Sequence, residues 1–263
     1  MSARLTDRIA LVTGAASGIG CATSLLFAAE GGTVIAIDRN ADTLDNLAAD
    51  NPAIHPFVAD VTDHEALARC VRETVENHGK IDILVNNAGM CYAAVHEEST
   101  LAQWRQTQAV NVEAMYALAR LVTPTMLERQ YGRIVNIASV QGFMPLATMG
   151  AYAASKGAII GWSRGMATEL AERNILVNVI APGAIQTSLQ AGNADEMGPG
   201  TKESLEKLVE GFPIPAGRVG QPEEVAVAIL FLAGEENTYV NGHTLVVDGG
   251  MTIGFPATRT PLG

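Results

Sequence analysis

Seven short apolar runs punctuate the chain, and the period of the pattern changes between them. RIALVT (8–13), TVIAI (33–37), IHPFVA (54–59), IDILV (81–85), RIVNIA (133–138), ILVNVI (175–180) and TLVVD (244–248) are rich in β-branched residues. They run apolar without alternating, as strands do when both faces of a sheet are covered. The intervening stretches carry helix signals. TDHEALARCVRETVENHG opens at Thr62 with Glu65 three residues on, the spacing of a capping box. TLAQW repeats the device with Thr100 and Gln103. QPEEVAVAILFLAG has Pro222 at its start and Gly234 at its end. Strand–helix alternation of this kind predicts an α/β protein: one doubly wound parallel sheet of about seven strands with helices on both faces. No linker or repeat divides it, so 1–251 reads as one domain. The segment at about 184–221 is rich in Gly and Pro and reads as a loop over a site. Residues 252–263 read as a C-terminal tail.

Composition narrows the function. Of 263 residues, 48% are apolar and 17% charged, which is globular rather than disordered. The 17 Lys and Arg against 28 Asp and Glu give a net charge of −11, and no basic cluster interrupts the acidity. Nucleic-acid binding is therefore not expected. The apolar run IALV is too short for a signal peptide, and no run reaches the ~18 residues of a spanning helix. The expectation is a soluble cytoplasmic protein without membrane partners. Cys21, Cys70 and Cys91 are too scattered for a disulfide framework, and the five histidines (55, 64, 78, 96 and 243) show no ligand spacing. No metal is expected.

Two stretches carry candidate chemistry. After the first strand comes TGAASGIG, with Gly14, Gly18 and Gly20. Glycines here permit a tight turn and let backbone N–H groups approach a phosphate at a helix N-terminus. Asp38 ends the next strand, where a carboxylate accepts from an adenosine ribose and repels a 2′-phosphate. This favours NAD over NADP, although Arg39 beside it could tolerate a phosphate. The second stretch is AYAASK, where Tyr152 and Lys156 stand four apart with small residues between. On a helix they share one face. A cation beside a phenol lowers its pKa from roughly 10, toward a proton donor and acceptor of use near neutrality.

The spacing of the glycines together with AYAASK resembles the short-chain dehydrogenase/reductase family. Its other motifs follow in order: NNAG (86–89), Asn111 in VNVEA, Ser139 in NIAS, APGAIQT (181–187), RVGQPEEVA and LVVDGGM. The likeness spans about 1–251. It implies a Rossmann-type fold and hydride transfer between a nicotinamide and a carbonyl or alcohol. By resemblance Tyr152 is the general acid–base and Lys156 lowers its pKa and holds the nicotinamide ribose. Ser139 bonds the reacting oxygen, and Asn111 carries a water relay. Gly14, Ser17, Gly18, Ile19 and Gly20 take the pyrophosphate side and Asp38 the adenosine ribose. Asp60 and Val61 flank the adenine, and Asn87 and Gly89 line its ribose. Pro182, Gly183, Ile185 and Thr187 hold the carboxamide end. Substrate contacts are expected from Ser139, Gln141 and Tyr152. Tyr92, His96, Phe143, Met144, Leu189, Met197 and Phe212 lie in the segments around them.

The leading expectation is thus an NAD-dependent oxidoreductase of secondary alcohols and ketones. A 3-oxoacyl-thioester reductase stands as the alternative, because GQPEEVA and VVDGGM also resemble fatty-acid-synthesis reductases, which generally use NADPH. A non-catalytic NAD-binding regulator is the reading from another class. The small-residue face after Tyr152 and the apolar AVAILFLA helix imply a homo-oligomer, a tetramer by resemblance.

Overall fold

The structure is a computed structural model, described over residues 3–187 and 214–254. Seven parallel strands form one sheet in the order β3-β2-β1-β4-β5-β6-β7. They are β1 (Ile9–Thr13), β2 (Thr33–Asp38), β3 (Ile54–Val58), β4 (Ile83–Asn86), β5 (Gly132–Ile137), β6 (Ile175–Pro182) and β7 (Thr244–Val247). Each lies within two residues of its expected bounds.

The unbroken apolar runs follow from a division of each strand between two cores. In β1, Ala10 and Val12 face one core and Leu11 the other. In β2, Val34 and Ala36 alternate in the same way with Ile35 and Ile37. On the first face pack α1 (Gly18–Ala29), α2 (Ala41–Ala49) and α7 (Pro222–Ala233), through Phe27, Leu44 and Ile229. On the second pack α3 (His64–His78), α5 (Ala114–Arg129) and α6 (Gly150–Leu170), through Leu67, Leu118 and Ala167. Each fully buried Leu or Ile contributes about 1.5–3 kcal/mol.

Helix starts follow the sequence with one correction. α4 (Leu101–Gln108) begins at the expected box, where the Thr100 hydroxyl accepts from Gln103 N–H and Gln103 Oε1 accepts from Thr100 N–H. α3 does not begin at Thr62. Its cap is Asp63, whose carboxylate accepts from Glu65 and Ala66 N–H. Thr62 turns back instead, donating its hydroxyl and N–H to Asp60 at 2.6 and 2.8 Å. A carboxylate is the stronger acceptor for orphan N–H groups.

The amino ends of the strands close over a fully buried carboxylate, Asp82. It accepts from Ile9 N–H at 2.9 Å and pairs with Lys80 at 2.9 Å, Arg8 at 3.3 Å and Arg129 at 3.5 Å. The Arg8 and Arg133 guanidiniums stack on the Tyr131 ring, 4.1 and 4.6 Å from its centroid. The strand order reverses between β1 and β4. Ligands of such sheets bind outside the carboxyl ends at that point.

Candidate active site

At the carboxyl ends of the strands a cleft of about 650 Å³ opens at this reversal. Gly14, Ser17, Gly18, Ile19, Asp38, Asp60, Val61, Asn87, Gly89, Ser139, Gln141, Tyr152, Lys156, Pro182, Gly183, Ile185 and Thr187 line it. Two expected residues stand behind its wall, Gly20 and Asn111. Tyr92, His96, Phe143 and Met144 are not part of the lining, whereas Met90, Cys91, Gln106, Val110 and Met149 are. Leu189, Met197, Phe212 and the tail from Phe255 lie outside the described residues, as does most of the 184–221 segment.

The glycine loop fits the approach of a phosphate. Gly14 and Gly18 hold φ of +65° and +53°, where a side chain is strained. At Gly20 a Cβ would stand 2.1 Å from the Gly14 carbonyl oxygen, so only glycine lets α1 seat against the loop. Asn87 pins the loop from β4, its amide donating to the Thr13 and Gly14 carbonyls at 2.9 and 3.2 Å. The Thr13 hydroxyl accepts from Asn87 and Ala88 N–H, both at 3.0 Å. Nothing in the apolar pattern distinguished Thr13, a strand-end residue, as this clamp.

Asp38 ends β2 with each carboxylate oxygen on one backbone group, Ala16 N–H and Asn40 N–H, both at 3.1 Å. Each oxygen retains acceptor capacity for a ribose hydroxyl. Further along, the bonds from Thr62 hold Asp60 below the usual carboxylate range, with Arg39 adding to the effect.

The other end of the cleft is built on α6. Tyr152 and Lys156 share one helical face, with the ammonium 5.4 Å from the ring centroid. The Lys156 ammonium donates to the Ile137 carbonyl at 2.9 Å, and burial lowers its pKa to about 8. Burial also dominates at Tyr152 and pushes its phenol up, with the Cys91 thiol adding to the rise. Burial thus outweighs the expected lowering by the lysine. A hydrogen bond from Ser139 is the one effect drawing the phenol back down. Ser139 caps a 3-10 turn (Val140–Gly142), its hydroxyl oxygen accepting from Gln141 N–H at 3.2 Å. The serine proton is thereby left for the phenol oxygen.

Asn111 sits in a single π turn (Ala109–Glu113), and its side chain is fully engaged. Its amide oxygen accepts from Met90 N–H at 2.8 Å, and its nitrogen donates to the Met90 carbonyl and to Ser155 Oγ, both at 2.9 Å. Ser155 donates in turn to the Tyr152 carbonyl at 2.7 Å. Ser155, read only as one of the small residues of AYAASK, joins these parts. Cys91 is a buried thiol whose pKa burial raises to about 11, and its sulfur lies 3.3 Å from that of Met149. Among the described residues no three His, Cys, Asp or Glu come together as a metal site, and no helix is long and apolar enough to cross a membrane.

A doubly wound sheet, a glycine loop with a carboxylate beside it, and a Ser–Tyr–Lys set at the same switch point define a nicotinamide-dependent oxidoreductase. The chain belongs to the short-chain dehydrogenase/reductase family. A family model described as enoyl-(acyl carrier protein) reductase matches residues 14–252. The chain is similar to a 3-oxoacyl-[acyl-carrier-protein] reductase of Thermotoga maritima, 41% identical over 95% of this chain and all of that protein. It is 38% identical to an NAD-dependent glycerol dehydrogenase of Listeria innocua, over 95% of each chain. The crystal structure of a levodione reductase superimposes with a TM-score of 0.88 at 30% identity, covering 96% of this chain and all of that one.

Proposed function

We propose that this protein is an NAD-dependent dehydrogenase that interconverts a secondary alcohol and a ketone. The observation that carries the reading is one cleft with Asp38 at one end and Ser139, Tyr152 and Lys156 at the other. The nicotinamide, when bound, supplies or takes the hydride. Tyr152 gives its proton to the carbonyl oxygen in reduction and takes it back in oxidation. Ser139 orients that oxygen, and Lys156 brings positive charge to the phenol and a donor to the nicotinamide ribose. The glycine loop takes the pyrophosphate, with Asp60, Val61, Asn87 and Gly89 around the adenosine and Pro182, Gly183, Ile185 and Thr187 at the carboxamide. With the Asn111 side chain engaged, a proton relay there would run through its backbone. The NAD-dependent glycerol dehydrogenase likeness supports both cofactor and substrate class.

A second reading, reduction of a 3-oxoacyl thioester with NADPH, is favoured by the Thermotoga maritima likeness. Asp38 weighs against it. Two unit charges ~4 Å apart interact by about 4 kcal/mol at an effective dielectric near 20, so a carboxylate facing a 2′-phosphate disfavours NADP. Formation of reduced cofactor from a panel of secondary alcohols, with NAD and with NADP in parallel, tests both. The proposal requires turnover with NAD at about 10²-fold higher kcat/KM. Thioester reduction with NADPH alone would establish the second reading instead.

The exposed small face of α6 (Ala154, Ala158, Gly161) and the exposed Val227 and Phe231 of α7 support a homotetramer with two-fold axes. A monomer in light scattering at micromolar concentration would refute that assembly.

A further inference from the structure

We propose that the Gln141 carboxamide is a second substrate anchor, donating to an uncharged oxygen carried one or two carbons from the reacting carbon; this rests on the hydride-transfer reading above. Gln141 follows Ser139 by two residues within the 3-10 turn and lines the cleft. The turn is seated firmly on α6. A Cβ on Gly142 would come within 3.0 Å of the Lys156 backbone and 2.9 Å of Ile160. The side chain is oriented as well. Its Oε1 accepts from Leu146 N–H at 3.3 Å. A backbone N–H can only donate, so the amide oxygen must face Leu146 and the NH₂ must face elsewhere. That NH₂ has no partner among the described residues.

The wall around it is apolar. Cys91 and Met149 pack with Tyr152, with Ala93 and Leu146 against them. The nearby cation, Lys156, spends one donor on the Ile137 carbonyl, and the hydride-transfer reading places its others toward the phenol and the nicotinamide ribose. One oriented neutral donor in such a wall matches a neutral acceptor, and a substrate lacking it leaves the NH₂ without a partner. The chemistry is shared by two kinds of substrate, a vicinal diol and a 3-hydroxy ester.

The test compares kcat/KM with NAD for 2,3-butanediol, ethyl 3-hydroxybutanoate and 2-butanol. The last lacks the second oxygen. Gln141→Met removes the donor at similar length and should lower the preference for at least one oxygen-bearing substrate over 2-butanol by about tenfold or more, chiefly through KM. Gln141→Glu keeps an oxygen for Leu146 N–H and guards against a turn that fails to form. Its carboxylate still accepts from a diol hydroxyl but no longer donates to an ester carbonyl. A preference kept in Glu and lost in Met identifies the diol, and one lost in both identifies the ester. Unchanged preferences in both variants overturn the anchor alone. No turnover of any of the three by the unmodified enzyme overturns the anchor and the hydride-transfer reading together.

Discussion

The two ends of the sheet are both polar, and they use polarity in opposite ways. At the amino ends, Asp82 is surrounded by Arg8, Lys80 and Arg129, with a backbone N–H as well. Among the described residues Arg8 Nε, Arg133 Nε and the Tyr131 hydroxyl have no hydrogen-bond partner, and the stacked ring holds both guanidiniums instead. At the carboxyl ends, Asp38, Ser139, Gln141, Tyr152 and Lys156 each have some bonds made and some capacity left over, all on the wall of one cleft. Charge saturated by neighbours stabilises a fold, whereas charge and donors left partly unspent beside open space are available to a ligand. The difference teaches that burial alone is a poor guide to function: Asp82 is the more buried carboxylate, yet it is Asp38 that lines the cleft.

This contrast can be broken by substitution. The largest effect is expected at Tyr152. Tyr152→Phe keeps the ring and deletes the proton, so turnover should fall at least ~10²-fold. Binding of NADH, followed by fluorescence, should persist. Near-normal turnover would remove Tyr152 from the chemistry. Next in size is Asp38→Ser, which should shrink the NAD preference by about tenfold or more, mainly through better use of NADP. Steady-state kinetics with both cofactors on both proteins check it.

A pH profile sharpens the comparison further. Burial places the Lys156 pKa near 8, below its ordinary value, so the cation is present below that pH and lost above it. Burial pushes the Tyr152 phenol up, which favours its protonated form. Carbonyl reduction needs both the proton and the cation, so its kcat/KM should fall as pH rises through about 8. A profile flat from 6 to 10 would deny Lys156 its electrostatic part. The smallest effect belongs to Thr100→Ala, at a residue that does not line the cleft. It removes one half of a capping box and should cost about 1 kcal/mol of stability with kcat unchanged, read from a denaturant curve.

Most of the fold and much of the cleft could be read in the sequence because both rest on local rules. The strands announced themselves by unbroken apolar runs, since alternate residues enter two different cores, as Leu11 and Val12 do. Gly14, Asp38, Tyr152 and Lys156 stood out because their spacing is tied to one turn, one strand end and one helix face. What escaped notice depends on contacts between distant segments. Thr13 clamps a loop 74 residues away, and Ser155 receives Asn111 across 44 residues. The phenol's upward shift escaped for the same reason, since it reflects how completely the ring is buried rather than the lysine four positions on. Asp63 rather than Thr62 is the cap because the Thr62 hydroxyl and N–H are taken by Asp60, leaving the Asp63 carboxylate to accept from Glu65 and Ala66 N–H.

The claim that the two ends divide stability from chemistry is tested most directly by one pair of proteins, Asp82→Ala and Ser139→Ala, each measured for melting temperature and for kcat/KM at 25 °C. Removing Asp82 leaves the Ile9 N–H and the partly buried Arg8 and Lys80 cations without their acceptor, a cost of about 1.5–3 kcal/mol, and should lower the melting temperature by roughly 3–12 °C while the activity of the folded protein stays within about threefold. Ser139→Ala should leave the melting temperature within about 2 °C and lower kcat/KM by about 10²-fold. The account is contradicted if Asp82→Ala abolishes activity while melting normally, or if Ser139→Ala melts early and works as well as the unmodified protein.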